Sequence, residues 1–309
     1  MSLLLIAKNR DFTSLKDAIL DLDPNVDVEV WPRVDKKERV NFAVCWNHPE
    51  RVLGNYPNLR AVSSLGAGVN HLLNDESLDD EIPIARLITE SLQTQMADYV
   101  LNAITNYRLH INRYFEQKKT GIWKQYSNIL KASTPIGVMG LGEMGSSVAT
   151  LLVEQGYNVH GWSRSKKDIE GVTSFAGADE LEAFLGKTKV LINLLPLTDE
   201  TEGILDLDLF KKMIKPGYLI NVGRGSHLVE EDLIYAFDMD YLEGACLDVF
   251  EEEPLPSNHT FWNRKQIMVT PHIAAITPAT EAAKVIVENY KRAMSGMELM
   301  FEVDREKGY

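Results

Sequence analysis

Three short segments of this 309-residue chain carry side chains that could do acid–base chemistry on a small anion. They are Asn221-Val-Gly-Arg224-Gly225, Leu247-Asp248-Val-Phe-Glu-Glu-Glu253-Pro254-Leu-Pro256 and Thr270-Pro271-His272-Ile-Ala-Ala. Each closes a β-rich run, and ligands of open α/β sheets bind outside the carboxyl ends of the strands. An Arg, a carboxylate and a His at separate strand ends suit the reduction of a 2-oxo acid. The Arg holds the substrate carboxylate and polarises the ketone. The His gives the proton, and the carboxylate holds the imidazole and raises its pKa. Singly, each residue has a plainer reading. Arg224 alone suits a surface ion pair, Asp248 a turn cap, Glu253 a solvated acidic run, and His272 a structural hydrogen bond. As a set at successive strand ends they read as a site.

The stretch from Ile136 to Arg164 is the element around which such chemistry is organised. It runs as an apolar strand, then Gly140-Leu141-Gly142-Glu143-Met144-Gly145, then a helical pattern, then the β-rich run Asn158–Trp162 ending in Ser163-Arg164. G-x-G-x-x-G between a strand and a helix is the dinucleotide-binding turn. Gly140 allows the tight turn, Gly142 removes the Cβ that would hold off a pyrophosphate, and Gly145 lets the helix lie close to the strand. The helix N-terminus offers N–H groups and partial positive charge to phosphates. At the end of the second strand an NAD site usually places Asp or Glu on the ribose hydroxyls. Here the position holds Ser163, followed by Arg164, Ser165, Lys166 and Lys167. A carboxylate would repel a 2′-phosphate, whereas an Arg fork matches it. The expected cofactor is therefore NADPH (NADP), with NADH a weaker substitute.

The elements that must position these residues follow from periodicity. Residues 1 to about 90 alternate β-rich runs (Leu3–Ala7, Val26–Trp31, Phe42–Trp46, Leu59–Ser64, Ile82–Leu87) with the amphipathic helix Leu15–Leu22, which implies a parallel sheet. Gly66-Ala67-Gly68 follows the fourth run, and adjacent N–H groups in such a turn form a nest suited to a carboxylate. The pattern from Ser91 to Gln117 reads as one long helix, whose apolar residues suit either a core or a subunit interface. Beyond Arg164, helices are expected at Ala178–Leu185, Leu207–Met213, Glu230–Phe237 and Ala279–Met294. Strands are expected at Val190–Leu195, Tyr218–Val222 and Ile267–Thr270. This is a second, longer doubly wound sheet. Gly186-Lys187-Thr188 mimics the end of a phosphate loop, but Leu181 occupies the first glycine position and a strand follows, so it is rejected.

Composition narrows the class. The length suits two domains. A net charge of −13 argues against nucleic acid and anionic membranes as partners, though a local Arg can still hold an anionic substrate. Two cysteines, Cys45 and Cys246, without a C-x-x-C spacing, suggest a reducing compartment. Leu3–Ala7 is too short for a signal peptide's apolar region, and no run is long enough to span a bilayer, so the expected location is cytoplasmic. His48, His71, His110, His160, His227 and His259 show no metal-ligand pairing, and no metal site is expected.

Along nearly its whole length the chain resembles the D-2-hydroxyacid dehydrogenase family. The resemblance rests on Gly140-x-Gly142-x-x-Gly145, on Asn221-Val-Gly-Arg224-Gly225 with Val229–Leu233, on Leu247-Asp248-Val249 with Glu253-Pro-Leu-Pro256, and on Thr270-Pro-His272. Within the family it is most similar to the bacterial glyoxylate/hydroxypyruvate reductase A branch. The features are Gly161–Ser165, Ser174–Gly177, Val190–Pro196, His272–Thr277 and the ending Val303–Tyr309. It departs from the usual family pattern at Asn70 and Asp98, where Asp and Glu are frequent. The resemblance implies an α/β fold of two doubly wound parallel-sheet domains: a Rossmann NAD(P) domain, residues 99–277, and a flavodoxin-like substrate domain, residues 1–98 with 278–309. It implies Arg224 as the substrate-orienting residue, His272 as the acid/base and Glu253 as its partner. Asp248 is expected near the nicotinamide carboxamide, with Leu195, Pro196, Val222 and Gly223 also lining the cofactor. Trp46 and the Gly66–Gly68 backbone should meet a small 2-oxo or 2-hydroxy acid. A homodimer is implied, formed through the cofactor domain. The activity implied is NADPH-dependent reduction of glyoxylate and hydroxypyruvate. The alternatives are an NAD-dependent relative acting on a phosphoglycerate- or lactate-type acid, and a non-catalytic dinucleotide-sensing protein.

Overall fold

A computed structural model describes residues 1–305, 307 and 308. Glu306 and Tyr309, part of the family-like ending, lie outside the described residues. The chain divides into two compact units, Met1–Ser91 with Thr277–Tyr309, and Leu92–Ile276. Among the described residues no helix is long and apolar enough to cross a membrane.

The first unit begins with β1 (Ser2–Ala7), α1 (Thr13–Leu22), β2 (Val28–Val30), β3 (Val40–Trp46), β4 (Ala61–Ser64), α2 (Asn70–Leu73) and β5 (Ile84–Ala85). Its sheet has the order β2-β1-β3-β4-β5, and every ladder is parallel. All of β1 is buried. A strand covered on both faces reads as a continuous apolar run instead of an alternation, which is what Leu3-Leu4-Leu5-Ile6-Ala7 shows.

The second unit begins at Leu92, within α3 (Glu90–Arg108), which buries Met96, Ala97, Val100, Ala103, Ile104 and Tyr107 along one face. The helix expected to continue to Gln117 instead breaks. His110 takes a left-handed conformation (φ 57°), and α4 (Ile111–Thr120) starts afresh. Arg108 Nε donates to Ile129 O at 2.9 Å, and the His110 ring lies 3.0 Å from Ser127 O. These bonds fold the segment after α4 back along the end of α3. The apolar period carries across the break without a glycine or proline, so periodicity alone reads through it.

Next come β6 (Ile136–Met139), α5 (Glu143–Glu154), β7 (Val159–Ser163), β8 (Val172–Ala176), α6 (Gly177–Leu185) and β9 (Val190–Asn193). After them are α7 (Leu207–Lys212), β10 (Gly217–Asn221), α8 (Glu230–Asp238), β11 (Leu242–Leu247) and β12 (Ile267–Val269). β8 is not foreseen by the hydrophobic pattern. It is a partly exposed edge strand, and Thr173 and Ser174 interrupt its apolar character. The seven-stranded order is β12-β11-β10-β9-β6-β7-β8, all parallel. The chain winds outward from β6 through β7 to β8, then crosses back to β9 and winds the other way. The switch point lies between β6 and β9, where a crevice opens at the carboxyl edge.

The chain then returns to the first unit. α9 (Ala279–Ser295) packs against α1 and ends at Gly296, with φ 68°. Asn289, fully buried, grips Met300 through both backbone groups. Beyond it, Val303 N–H donates to Ile84 O at 2.8 Å, so the tail covers the open edge at β5.

Two glycines of the β6–α5 turn are dictated by geometry. Gly140 has φ +96°, and a Cβ there would stand 2.7 Å from Leu194 O. At Gly145 a Cβ would fall 1.7 Å from Gly140 O, so any side chain forces α5 off the strand. Gly145→Ala is expected to destabilise the second unit by about 3 kcal/mol, the upper range for overpacking. Urea unfolding followed by circular dichroism checks this, and an unchanged midpoint would show that α5 can back away freely.

Candidate active site

All strands of the second sheet run parallel, so the segments after β6, β7, β9, β10, β11 and β12 emerge at one edge. Arg224 follows β10 in extended conformation. Asn221 Nδ2 donates to its carbonyl at 3.0 Å, and its own N–H donates to His227 Nδ1 at 3.1 Å. The guanidinium donates through Nη1 to Gly223 O at 2.7 Å. Burial lowers the guanidinium pKa and the charge of Glu253 opposes this, so Arg224 remains a cation.

Glu253 and His272 are joined. His272 Nδ1 lies 2.8 Å from Glu253 Oε2, while Glu253 Oε1 accepts from Phe250 N–H at 3.0 Å. Partial burial alone would raise the Glu253 carboxyl. The hydrogen bonds from His272 and Phe250 and the charges of His272 and Arg224 outweigh it and hold the group below its ordinary value. An ionised Glu253 accepts, so Nδ1 carries its proton toward it and Nε2 is left for other partners. The His272 side chain keeps 33% exposure, enough for a small molecule to reach it.

His272 has φ 54°, a conformation unfavourable for a residue with a side chain. Asp248, at the end of β11 and 1% exposed, over-determines it. The Asp248 carbonyl accepts from His272 N–H at 2.9 Å. Its Oδ1 accepts from Thr270 Oγ1 at 2.6 Å and Ile273 N–H at 2.9 Å, and its Oδ2 accepts from Ala274 N–H at 2.8 Å. Tyr99 of α3 lies 2.5 Å from Thr270 Oγ1 and supports it from below. The Asp248 carboxylate thus faces the His272 segment. Tyr99 was not foreseen, since nothing in its own surroundings in the sequence marks it.

The β6–α5 turn fits a dinucleotide pyrophosphate. A Cβ at Gly142 would meet nothing within 4 Å, and Gly142 precedes α5 as its N-cap without a side-chain hydrogen bond. The first-turn residues Glu143, Met144 and Gly145 follow, with the dipole's positive end toward the crevice. Leu141 is buried, packed over Gly161 of β7 so closely that a Cβ there would lie 2.6 Å away. Ser163 closes β7, and its hydroxyl donates to Ser165 O at 2.8 Å. Arg164 is exposed beside it, and Lys166 pairs with Glu180 at 2.8 Å. Leu195 and Pro196 follow β9, across the switch point from Gly140. Val222 and Gly223 follow β10, both buried.

In the first unit, β3 ends at Trp46 and β4 leads into Gly66-Ala67-Gly68. A Cβ at Gly66 would lie 2.7 Å from the Trp46 ring, so the glycine lets the turn close on the indole. Ser64 Oγ accepts from Gly66 N–H at 3.2 Å and donates to Gly68 O at 2.7 Å, which shapes the turn. The predicted residues of this unit are therefore neighbours. Among the described residues, no group of three or more His, Cys, Asp or Glu could hold a metal ion.

The model of the family described as D-isomer specific 2-hydroxyacid dehydrogenase, NAD binding domain, matches residues 101–274. The chain is 42% identical to a glyoxylate/hydroxypyruvate reductase A of Photorhabdus laumondii subsp. laumondii over 93% of both chains. It is 37% identical to one of Escherichia fergusonii over 100% of both. A D-isomer specific 2-hydroxyacid dehydrogenase from Xanthobacter autotrophicus Py2, crystallised with NADPH and MES, matches with TM-score 0.94 and 32% identity, over 100% of this chain and 99% of that one. An NADPH-dependent glyoxylate/hydroxypyruvate reductase from Sinorhizobium meliloti, in complex with NADP and sulfate, matches with TM-score 0.92 and 33% identity over 100% of both.

Because the folded-state Glu253 carboxyl is lowered, its bonds stabilise the fold above the ordinary carboxylate pKa of about 4.3, and that stability is lost as pH falls through the folded value. The melting temperature of wild type should therefore exceed that of Glu253→Gln most at neutral pH, and the gap should narrow below about pH 4.3. A gap constant from pH 7 to 3 would mean that the carboxylate charge contributes nothing there.

Proposed function

The chain belongs to the D-isomer specific 2-hydroxyacid dehydrogenase family, and on that premise we propose that it is an NADPH-dependent 2-oxo acid reductase. It reduces glyoxylate to glycolate and hydroxypyruvate to D-glycerate. The observation that carries this reading is the 2.8 Å bond between His272 Nδ1 and Glu253 Oε2, at the same sheet edge as Arg224. It is a proton donor with an orienting carboxylate, accompanied by a cation for the substrate.

NADPH supplies the hydride when bound. Gly140, Leu141, Gly142, Glu143, Met144 and Gly145 hold the pyrophosphate against the α5 N-terminus. Ser163, Arg164, Ser165 and Lys166 take the 2′-phosphate, and no carboxylate stands at the end of β7 to repel it. Leu195, Pro196, Val222, Gly223 and Asp248 complete the cofactor's surroundings. Arg224 binds the substrate carboxylate and draws electron density from the ketone. In the first unit, the turn Gly66-Ala67-Gly68 and Trp46 are assigned to substrate binding, since adjacent backbone N–H groups in such a turn suit a carboxylate. His272 gives its Nε2 proton to the carbonyl oxygen, and the Glu253 carboxylate keeps the ring in the Nδ1–H orientation that aims Nε2 outward.

The partner is a second copy of this chain. Phe115, Ile122, Trp123 and Leu130 lie on α4 and the segment after it, and they are 59%, 56%, 96% and 67% exposed. A fully exposed indole among other large apolar groups is costly in water and suits an interface. A net charge of −13 supports neither nucleic acid nor an anionic membrane as a ligand, and the reductase is cytoplasmic.

Absorbance at the reduced nicotinamide band, with glyoxylate and with hydroxypyruvate, tests the activity. NADPH should be oxidised fast and NADH slowly. Comparable NADH use would remove the cofactor preference, and no oxidation of either with NADPH still bound would favour the sensing role. His272→Asn should cut turnover on the order of 10²–10⁴-fold, and near-normal turnover would take His272 out of the chemistry. Trp123→Asp should halve the sedimenting mass. An unchanged dimer, or a wild-type monomer, would place the subunit contact elsewhere or abolish it.

A further inference from the structure

We infer that His227 is a positioning residue for the reduction: its ring sets the Arg224 backbone and ties it to the Pro196 segment. The inference rests on the reductase reading above and adds a residue that this reading does not use.

His227 closes the short turn after Arg224 and has no exposure. Both ring nitrogens are engaged. Nε2 lies 3.2 Å from Pro196 O, while Nδ1 lies 3.1 Å from Arg224 N and 2.8 Å from Asn193 Nδ2. A carbonyl oxygen only accepts and an amide N–H only donates, so the partners select one tautomer, with the proton on Nε2 and the lone pair on Nδ1. Asn193 cannot be reversed, because its Oδ1 accepts from Leu195 N–H and its Nδ2 also donates to Asn221 Oδ1 at 3.0 Å. Burial, reinforced by the Arg224 charge, pushes the His227 pKa down to about 4, although its bonds to Pro196 and Arg224 oppose this. At neutral pH the ring is therefore uncharged.

The consequence falls on Arg224. Its N–H is held by His227 and its C=O by Asn221, and Asn193 joins the two holders. All three are wholly buried. No side chain fits between them, since a Cβ at Gly223 would stand 2.8 Å from Asn193 Nδ2 and 3.0 Å from His227 Nδ1. Through Pro196, whose carbonyl also accepts from Thr201 Oγ1 at 2.7 Å, the same ring fixes this turn against the segment leaving β9. Leucine or phenylalanine would fill the volume without these bonds. A buried imidazole is justified only by the groups it holds.

The two jobs separate in isosteric variants. In His227→Asn, Oδ1 can take the place of Nδ1 and accept from Arg224 N–H, but nothing reaches Pro196. In His227→Gln, the amide N–H can reach Pro196 O, but the acceptor for Arg224 is gone. If the ring positions Arg224, His227→Gln loses on the order of 10- to 100-fold in kcat/KM for glyoxylate, mainly through KM, as expected for a stranded buried donor. His227→Asn should recover most of that loss, with both melting temperatures measured alongside. Equal losses that track the melting temperatures, or a Gln variant within about twofold of wild type, would overturn the inference. A second test needs no variant. In the wild-type protein, imidazole nitrogen NMR should show a neutral Nε2–H ring at position 227 down to near pH 4. A ring titrating near 6.5, or one protonated at Nδ1, would also overturn it. Wild-type turnover in the same assay keeps the failures apart. Without it the reductase reading falls and this inference with it; with it, a failed asymmetry removes only His227.

Discussion

Parallel pairing is the constraint on which the rest of this structure depends. Every strand of the seven-stranded sheet points the same way, so each must be followed by a return crossing, and every carboxyl end opens on one edge. The residues after β6, β7, β9, β10, β11 and β12 are far apart in sequence and yet share that edge. Winding in two directions from β6 then leaves a crevice between the crossings at the switch point between β6 and β9. The chemistry did not need a dedicated scaffold, because side chains placed at successive strand ends are gathered by the topology itself.

Gathering is not enough, because charged and polar groups at a buried edge must be satisfied. The structure meets this demand with side chains that bond backbone. Asp248 uses both carboxylate oxygens and its carbonyl on residues 270–274, and so holds His272 at a positive φ that its own backbone disfavours. Asn193, Asn221 and His227 do the same for the turn that carries Arg224. In both places a buried polar group is fully partnered, which is the condition under which it rigidifies and does not destabilise. The result is a stiff base beneath two partly accessible groups, Arg224 and the His272–Glu253 pair.

How much of this was legible in the sequence follows from where the determinants sit. Gly140 and Gly145 are readable because backbone geometry admits nothing else there, and the turn's place between strand and helix gives the glycines their meaning. The apolar runs of β1, β6 and β9 are readable because burial on both faces removes alternation. The break at His110 was hidden, because the helical period persists through it and the cause lies in bonds to Ser127 and Ile129 farther along the chain. β8 was hidden by its own mixed character as an edge strand. Tyr99 and His227 were hidden for a different reason. The Tyr99 partner Thr270 is 171 residues away, and although His227 bonds the nearby Arg224 backbone, its other partners Asn193 and Pro196 are 34 and 31 residues away, so local spacing does not mark either side chain.

Local charge, not net charge, decides what such an edge can bind. The chain carries −13 overall, yet its proposed ligands are all anions. At physiological ionic strength fields between exposed charges are damped over about 8 Å, so a phosphate responds mainly to the groups it touches. Near the end of β7 the groups proposed for this role are Ser163, Arg164 and Lys166. Lys166 is already paired with Glu180, and the Ser163 hydroxyl already donates to Ser165 O, which leaves its oxygen an acceptor. In the proposed site a dianionic 2′-phosphate would meet the planar donors of Arg164 and the Lys166 ammonium, the latter to the extent that Glu180 releases it. Under that proposal, discrimination against NADH would rest on these cations and on Ser163 standing where an NAD site usually places Asp or Glu. That arrangement gives a preference without excluding NADH, because losing the phosphate removes an attraction and creates no clash.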